Sequence, residues 1–184
     1  HGLAACKCAL ALRARVAEIN KTSGQALNIR VGVASGDTIV GNMGSVDRFD
    51  YTAMGDTVNV ASRLESGNKF YGTRVLVNSG TMDAAKEQMV FRRVDRVRFK
   101  GKDEAIDIFE VMGPAGGLSE DGKAVLEEWH QALEYYRNQN WIEAEARIQK
   151  VLVAMPEDGP AKAYLARIKT LKEKPLEGWD GTWG

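Results

Sequence analysis

No stretch of these 184 residues approaches 18 consecutive apolar side chains, so no part of the chain reads as a membrane-spanning helix. An initiator Met is lacking, and so is the charged-then-apolar pattern of a secretory leader. The chain opens at His1 and passes straight into helix-patterned sequence, which leads us to expect a fragment of a longer polypeptide. Cysteine is scarce: Cys6 and Cys8 are the whole complement. Two residues apart on a helix they face different directions and cannot easily bridge. A metal site would need further Cys or His nearby, and only His1 is close. They read as small packed residues in a reducing, cytoplasmic compartment. Net charge is also lacking, at 25 basic against 25 acidic side chains. Residues 1–113 carry 16 Lys and Arg against 13 Asp and Glu, and residues 114–184 carry 9 against 12. Neither part is basic enough to point to nucleic acid. What remains is the composition of a soluble globular protein, long enough for one ordinary domain and a small one.

The chain has two textures. Residues 3–20 are Ala-rich, with Leu3, Cys6, Leu10, Val16 and Ile19 at helical spacing. Ile29, Val31 and Val33 alternate as a strand does, Gly36-Asp37 signals a turn, and residues 38–43 read as the returning strand of a hairpin. Residues 51–54 form a short apolar piece. Asp56 reads as the N-cap of a helix over 57–66 that Gly67-Asn68 ends. A strand over 74–77, a helix from about Ser79, and strands over 91–99 and 105–111 complete an α+β region with a mixed sheet. Gly113-Pro114-Ala115-Gly116-Gly117 is the natural linker. It divides the chain into residues 1–113 and a small all-α module, residues 118–184. Helices there are expected over 119–139, 141–154 and 158–172, and residues 135–156 resemble part of a tetratricopeptide-type helix pair. One such unit buries only one of its faces, so it must dock on the first domain or on a partner. Trp179 and Trp183 mark the end as a tail that packs its rings.

The informative block is residues 29–66, IRVGVASGDTIVGNMGSVDRFDYTAMGDTVNVASRLES. Its final helix sets Asn59 and Arg63 one turn apart on one face. An amide beside a guanidinium, next to a Gly-rich hairpin, suits a polyanionic ligand that carries hydroxyls. A surface Asn with a salt-bridging Arg would show the same spacing. A basic row, Arg96, Arg98, Lys100 and Lys102, alternates with Val97 and Phe99, as on a solvated strand face.

Nearly every position of that block resembles the signature of class III adenylyl and guanylyl cyclases, whose pattern contains "VVVGNIGS" and then "DYT-x-x-GDTVN-x-A-x-R-L-E". The likeness continues through Arg74 to Asn78 and through Val97 to Lys102, and residues 4–20 resemble the family's helix after its metal-binding hairpin. It covers residues 1 to about 112. The resemblance implies a ferredoxin-like cyclase domain, incomplete at its N-terminus, that forms 3′,5′-cyclic AMP and pyrophosphate from ATP. It makes Asn59 the residue that orients the ribose and Arg63 the one that stabilises the transition state. Lys100 would contact the triphosphate, Arg48 would bind a second phosphate, and Thr52 would read the base. Family sites form between two chains, so the resemblance also implies a head-to-tail homodimer.

The same likeness implies two Mg²⁺ or Mn²⁺ ions held by two aspartates, in segments expected upstream of residue 1. No Asp here matches them: Asp37 lies in a turn, Asp56 at the helix start, and Asp47 and Asp50 in a loop. The Lys or Glu that accompanies the base-reading position is missing as well. A guanylyl cyclase or a catalytically inactive regulator is the alternative. A nucleic-acid-binding domain is disfavoured, because the strands lack paired aromatics for base stacking. The helical module either recruits a protein partner or braces the cyclase dimer.

Overall fold

The computed structural model describes residues 1–45, 48–99, 104–174 and 178–182, with side chains throughout except at 45, 48 and 49. Its first element is α1 (Gly2–Ser23), which Gly24 ends in the left-handed conformation at φ 68°. Gly2, Cys6 and Ala9 form its buried stripe, at the spacing of one helix face. Cys8 is exposed and Cys6 buried, so the two thiols stand apart, and both are free.

Strands β1 (Val31–Val33), β4 (Val75–Asn78), β5 (Met89–Arg98) and β6 (Ala105–Pro114) form one sheet in the order β1-β4-β6-β5. β1 runs parallel to β4, and the remaining pairs are antiparallel. Here the structure corrects the hairpin expected from Gly36-Asp37. β1 is three residues long, and Asn78 then takes the chain out of the sheet by bonding both backbone groups of Ser35, each at 3.0 Å. The next strand, β2 (Ile39–Ser45), pairs instead with β3 (Arg48–Met54) as a separate two-stranded sheet. The apolar piece over 51–54 is thus the second half of a strand.

Helix α2 (Asp56–Tyr71) starts one residue before the expected position and ends five after it. Gly55, at φ 139°, takes the N-cap place, so Asp56 sits in the first turn, where its charge suits the helix dipole. Gly67-Asn68 does not stop the helix because Asn68 is held inside: its amide donates to Leu64 O, Glu65 O and Val31 O. Gly72, left-handed at φ 66°, ends it. A short helix α3 (Ser79–Asp83) follows β4, capped by the Asn78 side chain.

Alternation along β4 divides the core between the two faces of the sheet. Val75 and Val77 pack with Cys6, Ala9 and Val111 beneath α1. Leu76 packs with Leu64, Tyr71, Val94 and Ile108 beneath α2. A bulge in β5 shifts the register between Arg93 and Asp95, so the consecutive residues Val94 and Asp95 are both buried. Of the basic row, Arg96 and Arg98 lie on this strand and are exposed, Arg98 pairs with Asp180 at 2.8 Å, and Lys100 and Lys102 lie outside the described residues.

The three C-terminal helices are α4 (Glu120–Arg137), α5 (Trp141–Ala154) and α6 (Gly159–Glu173), with Ser119, Asn140 and Asp158 as N-caps. They share a core of Trp129, Tyr136, Ile148, Tyr164 and Ile168. Trp179 closes it edge-on to Tyr136 and Trp141, at 5.3 and 5.6 Å between ring centroids, while Trp183 lies outside the described residues. This layer docks on β5 and α2, which answers where its second face goes. The Trp129 indole donates to Arg93 O at 2.6 Å, and buried Arg92 pairs with both Asp158 and Glu110. At Gly159 the approach is so close that a Cβ would lie 1.9 Å from Tyr71 O, so only glycine lets α6 seat there. Among the described residues, no helix is long and apolar enough to cross a membrane.

Candidate active site

The helix that carries Asn59 and Arg63 is seated by backbone contact. A Cβ on Gly32 would lie 2.1 Å from Ala61 O and 2.4 Å from Glu65 N, so α2 rests directly on β1 at the turn between these two residues. Val60, Leu64 and Tyr71 face the sheet, and the opposite edge of the helix is wet. Thr57 pins the start of α2 by donating its hydroxyl to Asp37 O at 2.8 Å. Two turns further along, Arg30 and Glu65 form an exposed pair at 2.8 Å, and that bond to Arg30 holds the Glu65 carboxyl below its usual range.

Asn59 is exposed and Arg63 half-buried. The Arg63 guanidinium lies over the Phe99 ring, 5.2 Å from its centroid. At this distance the ring face attracts the cation and helps to hold it in place. Phe99 follows the last residue of β5 and precedes Lys100, which lies outside the described residues. The ring under Arg63 went unnoticed in the sequence, where Phe99 read as one apolar member of an alternating row.

Thr52 lies on β3 opposite Gly41, where no side chain stands across from it, and its own side chain is exposed. Arg48 opens β3 opposite Ser45; its side chain is not among those described. Four residues of strand, about 13 Å, separate it from Thr52. The structure therefore joins Asn59 and Arg63 on one helix, sets Thr52 two residues from the strand end that feeds that helix, and puts Arg48 at the far end of the hairpin. Clefts of about 520 and 550 Å³ lie elsewhere, along the contacts between the C-terminal helices and the first region.

The functional groups here are a carboxamide, a guanidinium and a hydroxyl. They suit recognition of a polar, anionic ligand and supply fixed positive charge. Among the described residues, no group of three His, Cys, Asp or Glu stands close enough together to hold a metal ion. The described carboxylates are thus not gathered into such a centre.

Known proteins resemble this chain over the same region. Adenylate cyclase 1 of Rhizobium meliloti is 44% identical over 117 residues, which is 61% of this chain and 18% of that protein. The terminal-differentiation-specific adenylate cyclase of Dictyostelium discoideum is 38% identical over 159 residues, 80% of this chain and 7% of that protein. The chain therefore spans less than a fifth of the length of either relative. Among solved structures, the adenylyl cyclase CyaB of P. aeruginosa superimposes with a TM-score of 0.52 at 28% identity, over 60% of this chain and 58% of that one. This agrees with the mixed α+β architecture described above. The sequence profile of the adenylate and guanylate cyclase catalytic domain matches residues 1–112, and the chain belongs to that family.

Proposed function

We propose that this segment supplies the ribose- and phosphate-binding half of an adenylyl cyclase site, which converts ATP to 3′,5′-cyclic AMP and pyrophosphate. The observation that carries the reading is the pairing of Asn59 and Arg63 on a helix whose backbone is fixed against Gly32. In the reaction the ribose 3′-oxygen forms a bond to the α-phosphorus and loses its proton. The bond from that phosphorus to the bridging oxygen breaks, and pyrophosphate leaves with the electron pair. Asn59 holds the ribose so that the 3′-oxygen is in line, a matter of orientation. Arg63 meets charge as it grows on the α-phosphate oxygens, with the Phe99 ring beside its guanidinium. Lys100 and Arg48 are assigned to the remaining phosphates and Thr52 to the base edge.

Mg²⁺ or Mn²⁺ is expected to be held by carboxylates other than those described here, and no step above runs through a metal. A second copy of the chain is the proposed partner. The exposed apolar residues of the hairpin support this, since Ile39, Val40, Tyr51 and Met54 are 69, 55, 77 and 52% exposed. The helical layer, read as a tetratricopeptide-type unit, would brace the domain or recruit a protein from its outer face, in the cytoplasm.

The test is kinetic, in a catalytically complete cyclase that contains residues 1–184. Arg63→Ala and Asn59→Ala should each lower kcat about 10²- to 10³-fold with circular dichroism unchanged, as for loss of one transition-state donor. Near-normal kcat in both variants would remove these residues from the site.

A further inference from the structure

A buried polar cluster stands at the junction of α2, β5 and α6, away from every residue assigned a part in the reaction. Asp95, 1% exposed, lies at the β5 bulge. It accepts from the Tyr71 hydroxyl, from the Tyr164 hydroxyl at 2.8 Å, from Arg167 Nη1 at 2.6 Å and from its neighbour Arg96 N at 2.7 Å. Arg167 Nη2 also donates to the Tyr71 oxygen at 3.1 Å, and its guanidinium lies 4.9 Å from the Tyr164 ring centroid. One carboxylate thus ties the last residue of α2 to a central position on β5 and to two residues of α6. A cluster bonded this densely resists deformation, because losing any member strands a buried charge or dipole.

Its position relative to the candidate site is the informative part. Arg63 and Tyr71 are eight residues apart on α2, roughly 12 Å along the axis. Their partners on the neighbouring strand, Phe99 and Asp95, are four residues apart, roughly 13 Å. Helix and strand therefore run in opposite directions; α2 rests its backbone on β1 and β4 and reaches β5 through long side chains at both ends of this span, the Arg63–Phe99 contact at one end and the polar cluster at the other. Between them Leu64 and Val97 belong to one apolar group.

We propose that Tyr71, Asp95 and Arg167 are positioning residues that fix the tilt of α2 relative to β5, and so set where Asn59 and the Arg63 guanidinium stand relative to the strand end at Phe99. This rests on the cyclase reading above. α2 pivots on Gly32 near Ala61 and Glu65. The arm from there to Tyr71 is roughly 12 Å and the arm to Asn59 about half of that. A slack of about 1 Å at Tyr71 thus becomes about 0.5 Å at Asn59, which is the tolerance of a catalytic constellation. Since a misplacement of about 1 Å can cost about 10²-fold in rate, half of it corresponds to roughly tenfold. α6 supplies Tyr164 and Arg167 to this cluster, and through them the helical layer reaches the end of α2.

Two measurements test the proposal. Hydrogen–deuterium exchange on residues 1–184 compares wild type with Arg167→Met. Amides 60–66, a full span away from the substitution, should exchange faster while β4 stays protected. In a complete cyclase containing the segment, Arg167→Met should lower kcat about tenfold with KM within twofold, and Arg167→Lys should restore part of it. Ile148→Val, in the helical core and off α2, should lower the melting temperature and leave kcat unchanged. If Arg167→Met fails to fold, Tyr71→Phe is read by the same criteria with a smaller loss of about threefold. Exchange changes confined to α6 and Tyr71, or an equal loss of kcat in Ile148→Val, would overturn the proposal. A wild-type cyclase that forms no cyclic nucleotide would overturn the functional reading instead, and the exchange result alone would then decide whether the cluster controls α2.

Discussion

Raising the pH above 10 should unfold this protein through its buried tyrosines. Burial raises the Tyr71 hydroxyl far above its ordinary value, the Asp95 charge adds to the effect, and Arg167 opposes it in part. Tyr164 is raised for the same reasons, burial first and Asp95 second, and burial pushes Tyr136 up to about 12. The folded protein therefore keeps three protons that an unfolded chain releases near pH 10. Their stabilising effect is complete below pH 10 and declines as the pH rises above it, because the unfolded state then binds fewer protons. Each tyrosine contributes a slope of about 1.4 kcal/mol per pH unit. At pH 11 the three together remove ~4 kcal/mol, equivalent to a fall of roughly 8–16 °C in melting temperature for a chain of this size. Urea unfolding at pH 9, 10 and 11, followed by circular dichroism, measures the slope, and tyrosinate absorbance at 295 nm shows that ionisation accompanies unfolding. Tyr71→Phe isolates one member. At pH 7 it should cost ~2 kcal/mol, the value of a hydroxyl bonded to a charged group, and its alkaline slope should be shallower by about 1.4 kcal/mol per unit. Equal slopes in wild type and Tyr71→Phe would refute the argument, since the buried hydroxyl would then carry no share of the pH dependence.

Other outcomes follow from the same geometry. Gly32→Ala places a Cβ against helix backbone that cannot rotate away, so α2 must lift; the expected loss is ~3 kcal/mol by denaturant titration, with kcat reduced in the fraction that remains folded. Thr52→Ala should narrow the ATP to GTP ratio of kcat/KM about tenfold in a competition assay, the worth of one neutral hydrogen bond, while Thr52→Asp should keep the preference for ATP. An unchanged ratio in Thr52→Ala would take Thr52 out of base reading. Residues 1–184 alone, given ATP with Mg²⁺ or Mn²⁺, should form no cyclic nucleotide, because no group of three potential ligands among the described residues stands close enough together to hold a metal ion; turnover by this segment would show that a metal site had been misplaced.

The local chemistry of the sequence determined the elements and the family. Helical spacing in α1, apolar alternation through Val31 and Val33, and the strand expected over 74–77 rest on signals within a few residues of one another, and the structure follows them. The forty-residue block was specific enough to name the family, and it set Asn59 and Arg63 one helical turn apart because i and i+4 always share a face. Pairing between distant segments was not legible. Gly36-Asp37 is a sound local turn signal, yet which strand β2 meets depends on Asn78, more than thirty residues away, pulling Ser35 out of the sheet. Gly67-Asn68 looked like a helix end because the partners that keep Asn68 helical include Val31 O, from another strand. Asp95 sat unremarked in a basic strand; only the bulge turns it inward, and only the fold brings Tyr71, Tyr164 and Arg167 to it across as many as 72 positions. Sequence patterns report contacts repeated at fixed short spacing, whereas register, docking and buried charge depend on contacts that no short spacing encodes, and these the tertiary structure alone decided.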